Sequence, residues 1–356
     1  YEGQWEILSA ALRGEDTIAL LPTGGGKSIA FQLTAMLVPG CAVVVAPLIS
    51  LIRGQQANLL QYGIDRVVAI TSDLSSLNDR KTAHTALCGG VVLFCYVAPE
   101  RFQNKRFRDS LRGMTARNPV NYVVIDEAHC VSEWGHEFRT SYLRLGAITR
   151  RECGRARWTP TLLALTGTAS HSVLKDVKRE LEITSEPIRP SQLGRNELKL
   201  EVIACDTSEK AVRLEELLGD RIPGFFGTDG DTLLARQAPP GGDVPYQGVI
   251  FCLHVNGDHG VKRLADRLSK AGTDVRMHSS DPPRDFAGSR KRWDQLRRRT
   301  EVDFKYDRFP LLAATKAYGM GVDKPNIRYT VHYGMPASIE SFYQEVGRAG
   351  RDRSDA

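Results

Sequence analysis

The residues best suited to chemistry lie in the stretch LLPTGGGKSIAFQ, at positions 20–32. Three consecutive glycines stand there between an apolar run and a Lys-Ser pair, although glycine loses more conformational freedom on folding than any other residue. Such a loop lets backbone N–H groups converge on phosphate oxygens, while the lysine supplies a charge and the serine a hydroxyl for Mg²⁺. The candidate phosphate-binding residues are Thr23, Gly24, Gly25, Gly26, Lys27 and Ser28.

The loop departs from the strict phosphate-loop pattern at one position. That pattern has a glycine five residues before Gly26, where this chain has Leu21. Taken alone, the stretch therefore leaves an alternative open, a glycine-rich turn with an incidental lysine.

An acidic pair lies about a hundred residues further on, in YVVIDEAHC. Asp126 and Glu127 end an apolar run that predicts a strand, and parallel strands deliver their carboxyl ends to the same sheet edge as a phosphate loop. Asp126 is suited to hold Mg²⁺, and Glu127 to orient and deprotonate an attacking water. For the pair by itself, the alternative is an acidic pair at an exposed strand end. Together with the glycine-rich loop, the pair predicts a nucleoside-triphosphate hydrolase.

The elements that must position these residues follow an alternating pattern. Apolar strand-like runs alternate with amphipathic segments, which is typical of a parallel sheet covered by helices, an α/β fold. A helix is predicted over 258–270, with Val261, Leu264, Ala265 and Leu268 on one face. The predicted strands are 17–21, 41–46, 66–70, 91–97, 122–126 and 161–167 in the first half, and 198–205, 248–253, 274–279, 311–315 and 327–333 in the second.

Two irregular stretches divide the chain. Prolines and a glycine interrupt the periodicity in EPIRPSQLGRNE (186–197), which predicts a linker between domains 1–190 and 191–356. The stretch 222–245 is too long for an ordinary connection and is expected to be a mobile insertion.

Composition narrows the protein class. The chain has 356 residues, 42% of them apolar, and no apolar run approaches the roughly 20 residues that cross a bilayer. Its seven cysteines lack metal-ligand spacing and are expected to be reduced, in the cytoplasm of a prokaryote or the nucleus of a eukaryote. The net charge of +6 leans towards a polyanionic partner. The first residue is not Met, which favours an excerpt of a longer protein.

Further segments resemble the motifs of the RecQ family of superfamily-two DNA helicases. DEAH (126–129) is similar to motif II and is followed by an aromatic-rich loop, CVSEWGHEFR (130–139). The other similar segments, in the family's order, are 43–55, 96–102, 163–169, 311–336 and 341–352. The resemblance implies two tandem RecA-like lobes that clamp ATP and Mg²⁺ between them and bind single-stranded or forked DNA, with no membrane association.

The resemblance assigns roles around the nucleotide. It implies that Gln4 reads the adenine edge, that Arg351 is the arginine finger, and that Arg348 and Gln344 lie alongside it at the phosphates. Asp323, where many family members have Asn, is expected at the ribose, and Gly319 and Gly321 would let the backbone pass close to the ligand. The aromatic loop is expected to sense bases and to relay that signal to His129.

A second set of residues is implied at the nucleic acid. Trp134 and Phe138 are expected to sense stacked bases, against the alternative of core packing. Helix caps and solvated side chains are the alternatives for the polar candidates. The full set is Ser50, Gln55, Arg101, Trp134, Phe138, Arg139 and Thr315.

Departures from the family pattern keep other functions open. Leu253-His254 replace the usual Asn-Ser-Arg ending of motif IV, and the basic segment 289–299 is either a solvated helix face or an auxiliary nucleic-acid track. Family members usually continue after motif VI with a zinc module and a winged helix; whether these follow in the full-length protein stays open, as do protein partners through flanking regions. An RNA-directed helicase and an ATP-switched nucleic-acid-binding subunit of a larger complex remain the alternatives.

Overall fold

The structure is a computed structural model that describes residues 3–22, 24–71, 77–132, 139–155, 158–190, 195–236, 245–318, 324–352, 354 and 356. The chain divides into two compact units, Tyr1–Leu193 and Gly194–Ala356. Each unit is built on a parallel sheet.

The first unit contains a six-stranded sheet in the order β1-β6-β5-β2-β4-β3. Its strands are β1 (Thr17–Leu20), β2 (Cys41–Val45), β3 (Val67–Ile70), β4 (Phe94–Val97), β5 (Val120–Asp126) and β6 (Thr161–Thr166). Its helices are α1 (Gln4–Leu12), α2 (Lys27–Leu37), α3 (Ile49–Gln61), α4 (Leu77–Gly89), α5 (Lys105–Arg117), α6 (Leu145–Cys153) and α7 (His171–Leu181). All six strand predictions in this half are confirmed, although β4 occupies only the end of the predicted 91–97.

The sheet of the first unit is buried on both faces. Along β2, Val43 and Val45 pack into one core cluster, while Ala42 and Val44 pack into another on the opposite face. Burying one such valine contributes about 1.5–3 kcal/mol. Continuous apolar runs are therefore the expected sequence of these strands, and all seven residues of β5 are buried.

The second unit contains a four-stranded sheet in the order β10-β7-β9-β8. Its strands are β7 (Gln247–Phe251), β8 (Val275–His278), β9 (Leu311–Ala314) and β10 (Ile327–His332). Its helices are α8 (Lys210–Glu216), α9 (Ile222–Phe225), α10 (Gly230–Leu233), α11 (Val261–Lys270), α12 (Arg290–Lys305) and α13 (Ile339–Val346). The helix predicted over 258–270 is confirmed as α11, and its four predicted apolar residues are all buried.

The strand predicted over 198–205 is wrong. This segment has no assigned strand, and Val202 in its middle is 94% exposed. Residues 198–205 line a cavity of about 940 Å³ together with Tyr329, Thr330 and Val331 of β10. Alternating apolar residues make a segment suitable for a strand, but a strand also needs a ladder partner within hydrogen-bonding distance.

The mobile insertion predicted over 222–245 is wrong for the part that the structure describes, 222–236. Helices α9 and α10 occupy much of it, and Leu233 is completely buried. Pro223 lies in α9, which continues without interruption from α8 through a π-helical turn over Leu217–Arg221. The carboxylate of Asp229 caps α10 by accepting the Thr232 N–H at 2.7 Å. Residues 237–244 lie outside the described residues.

The seven cysteines are all thiols, and five of them are buried. Burial raises the pKa of the Cys41, Cys95 and Cys153 thiols, which keeps them protonated. This confirms the prediction of reduced, mostly buried cysteines. Within the part of the chain that the structure describes, no helix is long and apolar enough to cross a membrane.

Candidate active site

The phosphate-loop candidate connects β1 to α2, and its backbone explains the three glycines. Gly24 and Gly26 have φ angles of 78° and 73°, in the left-handed region that residues with a Cβ rarely adopt. A Cβ on Gly25 would lie 2.9 Å from the carbonyl oxygen of Pro22. The chain therefore needs glycine at each of these positions. Thr23, predicted to belong to this loop, lies outside the described residues.

The loop ends where α2 begins, with Lys27 as the first helical residue and Ser28 as the second. The unpaired N–H groups and the dipole of a helix N-terminus favour an anion there. The Lys27 ammonium makes a long hydrogen bond of 3.4 Å to the carbonyl oxygen of Leu21. A weak contact of this kind is easily exchanged for a phosphate oxygen.

Gln4 lies directly against the loop. Its amide Nε2 donates to the carbonyl oxygens of Gly26 at 3.1 Å and Gly25 at 3.3 Å. Any Cβ on Gly26 would come within 1.9 Å of this nitrogen. The first turn of α1 therefore supports the loop from behind, and the adenine contact of Gln4 stays a prediction.

Asp126 is the last residue of β5, and its side chain faces the loop. Burial, followed by the neighbouring Glu127 carboxylate, raises the pKa of Asp126 to about 7, whereas the positive charge of Lys27 lowers it. The effect of Lys27 means that these two side chains are close enough to interact electrostatically. The structure thus brings the two main sequence predictions together at one sheet edge.

Glu127 has a left-handed backbone, with φ of 50°, which is unusual for a residue with a side chain. Its N–H donates to Oδ1 of Asp126 at 3.0 Å. Its Oε2 lies 3.4 Å from Nδ1 of His129, which is buried in the short 3-10 helix Ala128–Val131. Strained backbone of this kind clusters at functional sites.

Gln55 was predicted to grip nucleic acid, but the structure places it at the acidic pair. Its Nε2 donates to Oδ2 of Asp126 at 3.0 Å. On α3, Gln55 shares a helix face with the buried residues Ile52 and Leu59, at i, i+3 and i+7 spacing. Helical periodicity was therefore the signal that could have identified this inward orientation.

The remaining nucleic-acid candidates of the first unit have varied surroundings. Ser50 is exposed on the outer face of α3. The Arg101 guanidinium donates to the carbonyl oxygen of Thr71, and the backbone N–H of Arg139 donates to the carbonyl oxygen of Cys130 at 3.0 Å. Their nucleic-acid contacts stay predictions. Trp134 and Phe138 lie outside the described residues.

In the second unit, motif V and motif VI meet around Tyr318, which sequence reasoning had not singled out. Burial raises the pKa of the Tyr318 hydroxyl, and the positive charges of Arg348 and Arg351 oppose that rise. Both predicted arginines therefore lie near the same buried ring. Gln344 is on α13, one turn before Arg348.

The other predicted residues of the second unit are either buried or outside the described residues. Thr315 is only 8% exposed, and its hydroxyl accepts the Ala317 N–H at 3.4 Å, so its predicted nucleic-acid contact stays a prediction. Gly319, Gly321 and Asp323 lie outside the described residues. Trp293, within the basic segment 289–299, is buried with its Nε1 donating to the carbonyl oxygen of Ser279, so it offers no stacking surface.

Comparisons with known proteins agree with this geometry. The family model described as DEAD/DEAH box helicase matches residues 1–177, and the helicase conserved C-terminal domain matches residues 248–353. The chain is 33% identical over 352 residues to the probable ATP-dependent DNA helicase RecS of Bacillus subtilis. It is 31% identical over 351 residues to the ATP-dependent DNA helicase RecQ of Pasteurella multocida. These matches support a RecQ-family helicase core.

The chain spans only about half to two thirds of the length of these relatives. Both alignments cover 99% of this chain but only 62% of RecS and 48% of the Pasteurella RecQ. Among solved structures, the DEAD-box helicase Mss116 bound to ssRNA and UDP-BeF superimposes with a TM-score of 0.72 at 19% identity, covering 99% of this chain and 68% of that one. The predicted fold of two RecA-like lobes, each a parallel sheet flanked by helices, is confirmed.

Proposed function

We propose that this RecQ-type core is an ATP-dependent DNA helicase or translocase that moves 3′ to 5′ on single-stranded DNA. The observation that carries the proposal is that Lys27, which begins α2 after β1, and the buried Asp126, which ends β5, follow two parallel strands separated only by β6 and so lie at the same edge of the sheet. A phosphate loop and an acidic pair facing one another are the parts that phosphoryl transfer from a nucleotide requires.

The residues of the first unit fit ATP with Mg²⁺. Loop N–H groups and Lys27 would bind the phosphates, while Ser28 and Asp126 would hold the metal ion. Asp126 is 4% exposed, so its ionised form needs a nearby cation beyond Lys27. Oxygen donors of this kind suit Mg²⁺, which when bound neutralises charge on the phosphates.

Hydrolysis is assigned to groups around this carboxylate and to motif VI. Glu127 would orient the attacking water and accept its proton, and His129 beside it would hold the Glu127 side chain in place. Arg351, with Arg348 and Gln344, would stabilise charge on the transferring phosphate. Because these residues belong to the second unit, their action would require closure onto the nucleotide, which would couple hydrolysis to movement along a strand.

The two relatives favour DNA as the nucleic acid along which this protein moves, because both are described as DNA helicases. The net charge of +6 is consistent with a polyanionic partner. Two alternatives have distinct signatures. An RNA-directed helicase would be stimulated better by RNA than by DNA of equal sequence, and an ATP-switched binding subunit would hydrolyse ATP without separating strands.

The test is ATP hydrolysis with and without single-stranded DNA, together with unwinding of a forked duplex carrying a 3′ tail. We expect DNA-stimulated hydrolysis and unwinding in the wild type, and loss of both in Lys27→Ala. Lys175→Ala, an exposed lysine on α7, is the matched control and should behave as wild type. Hydrolysis that ignores DNA, or full activity in Lys27→Ala, would contradict the proposal.

A further inference from the structure

Gln55 and Asp126 are 71 residues apart in sequence, yet their side chains share a direct hydrogen bond of 3.0 Å. The other carboxylate oxygen of Asp126 accepts the Glu127 N–H at 3.0 Å. Each oxygen therefore has one protein donor that fixes the plane of the carboxylate, while further lone pairs remain for a metal ion or its waters.

The second polar atom of the Gln55 amide has no such partner. Its Oε1 is buried and makes no hydrogen bond to any residue that the structure describes. An Asp126 carboxylate that holds a metal ion is ionised and only accepts hydrogen bonds, so in that state the Gln55 amide must face it with its nitrogen and not with Oε1. A buried acceptor beside a candidate metal carboxylate is placed to receive a hydrogen bond from a water in the coordination shell of the ion.

The helix that carries Gln55 also reaches the surface. Ser50 and Arg53 lie on the exposed outer face of α3, whereas Gln55 lies on the inner face with Ile52 and Leu59. A rigid helix moves both faces together. Any shift of α3 caused by a ligand on the outer face would therefore change the position of the Gln55 amide relative to Asp126.

We propose that Gln55 is a positioning residue that orients the Asp126 carboxylate for Mg²⁺ and couples metal binding to nucleic-acid binding on α3. This inference rests on the proposed function, because it takes Asp126 as the metal carboxylate. It replaces the direct nucleic-acid contact predicted for Gln55 from the sequence. Coupling between two ligands is reciprocal, so DNA should change metal affinity by the same factor as metal changes DNA affinity.

The experiment measures equilibrium binding and does not depend on turnover. Mn²⁺, which takes the same oxygen ligands as Mg²⁺, is titrated by electron paramagnetic resonance in the presence of ADP, with and without single-stranded DNA. Gln55→Met keeps the length of the side chain and removes the amide, and Gln55→Ala is a second variant in case one fails to fold. Gln61→Ala is the control, since Gln61 is an exposed glutamine at the end of the same helix.

We expect the Gln55 variants to bind Mn²⁺ about tenfold more weakly, a typical effect of losing a group that orients a metal ligand. Affinity for ADP without metal and for DNA without nucleotide should stay within about twofold of wild type, by the same reasoning. DNA should shift the Mn²⁺ affinity of the wild type and of Gln61→Ala but not that of the Gln55 variants.

Two results would overturn the inference. Weaker DNA binding with unchanged Mn²⁺ affinity would make Gln55 a direct strand contact. Unchanged Mn²⁺ affinity with unchanged DNA binding would mean that the Gln55–Asp126 hydrogen bond has only a structural role. A wild type that binds neither ADP nor Mn²⁺ is a different failure, because it removes the proposed function itself.

Discussion

Nδ1 of His129 lies 2.9 Å from Oγ1 of Thr166 and so joins the end of β5 to the end of β6. The Thr166 hydroxyl donates to the carbonyl oxygen of Thr168 at 2.9 Å, so its proton is already used. This pattern assigns the His129 proton to Nδ1, which donates it to Oγ1 of Thr166. The same nitrogen is 3.4 Å from Oε2 of Glu127, which places the proposed base within this network.

Thr166→Val tests the network with little change in side-chain volume. Without the hydroxyl, the His129 tautomer is no longer fixed, and we expect DNA-stimulated kcat to fall about tenfold, or about 1.4 kcal/mol. Nucleotide affinity should stay unchanged. Steady-state kinetics and binding of a fluorescent ADP measure the two quantities. Thr161→Val, a buried threonine at the other end of β6, is the control, and an equal fall in both variants would reject the relay.

Gly26→Ala tests the geometry of the phosphate loop. The new Cβ would meet Nε2 of Gln4 at 1.9 Å on a backbone with φ of 73°, so we expect loss of nucleotide binding in a calorimetric titration. The left-handed backbone alone costs about 1–2 kcal/mol. Gly63→Ala separates the two effects, because Gly63 has φ of 77° and open space around it. That control should lose stability but keep nucleotide affinity.

Glu152 makes folding stability depend on pH in the first unit. Its side chain is fully buried, and Nε of Arg112 lies 2.6 Å from its carboxylate. Burial alone raises the pKa of Glu152, but hydrogen bonds from Arg112 and Arg151 outweigh burial and hold the pKa below its ordinary value of 4.5. The folded state therefore favours the ionised form, and the stabilisation is present above that value and lost as the pH falls through the lowered pKa.

We expect Glu152→Gln to lower the free energy of unfolding by about 2 kcal/mol at pH 7.5, since charged hydrogen bonds are lost. The difference in unfolding free energy between Glu152→Gln and the wild type should narrow when the pH is lowered below the pKa of Glu152. Urea denaturation at pH 7.5 and at a pH below the pKa of Glu152 measures this difference. Glu6→Gln, an exposed carboxylate on α1, should show no such dependence. A gap that does not change with pH would mean that packing, and not charge, stabilises this site.

The sequence predicted the first sheet well because its strands are buried on both faces and therefore read as continuous apolar runs. It predicted the phosphate loop and Asp126 because their chemistry restricts residue types at fixed spacings. It also predicted α11, whose apolar residues recur at helical intervals.

The remaining features depend on contacts that no local pattern contains. Residues 198–205 have strand-like alternation, yet they form no ladder with β10 and instead line a cavity together with it. Gln55 carries a motif resemblance that pointed to nucleic acid, whereas its direction follows from how α3 packs on the sheet. Pro223 indicated a break in the chain, but it lies in a helical path that runs without interruption from Lys210 to Phe225, with a π-helical turn directly before α9.

Arg351→Ala provides the most direct test of the central claim, that a triphosphate bound at Lys27 is hydrolysed with the help of an arginine from the second unit. The measurement is DNA-stimulated kcat alongside the affinity for a fluorescent ATP analogue, with the exposed Arg263→Ala on α11 as control. We expect a fall in kcat of about 10³-fold or more with affinity nearly unchanged. Hydrolysis at the wild-type rate in Arg351→Ala would contradict it.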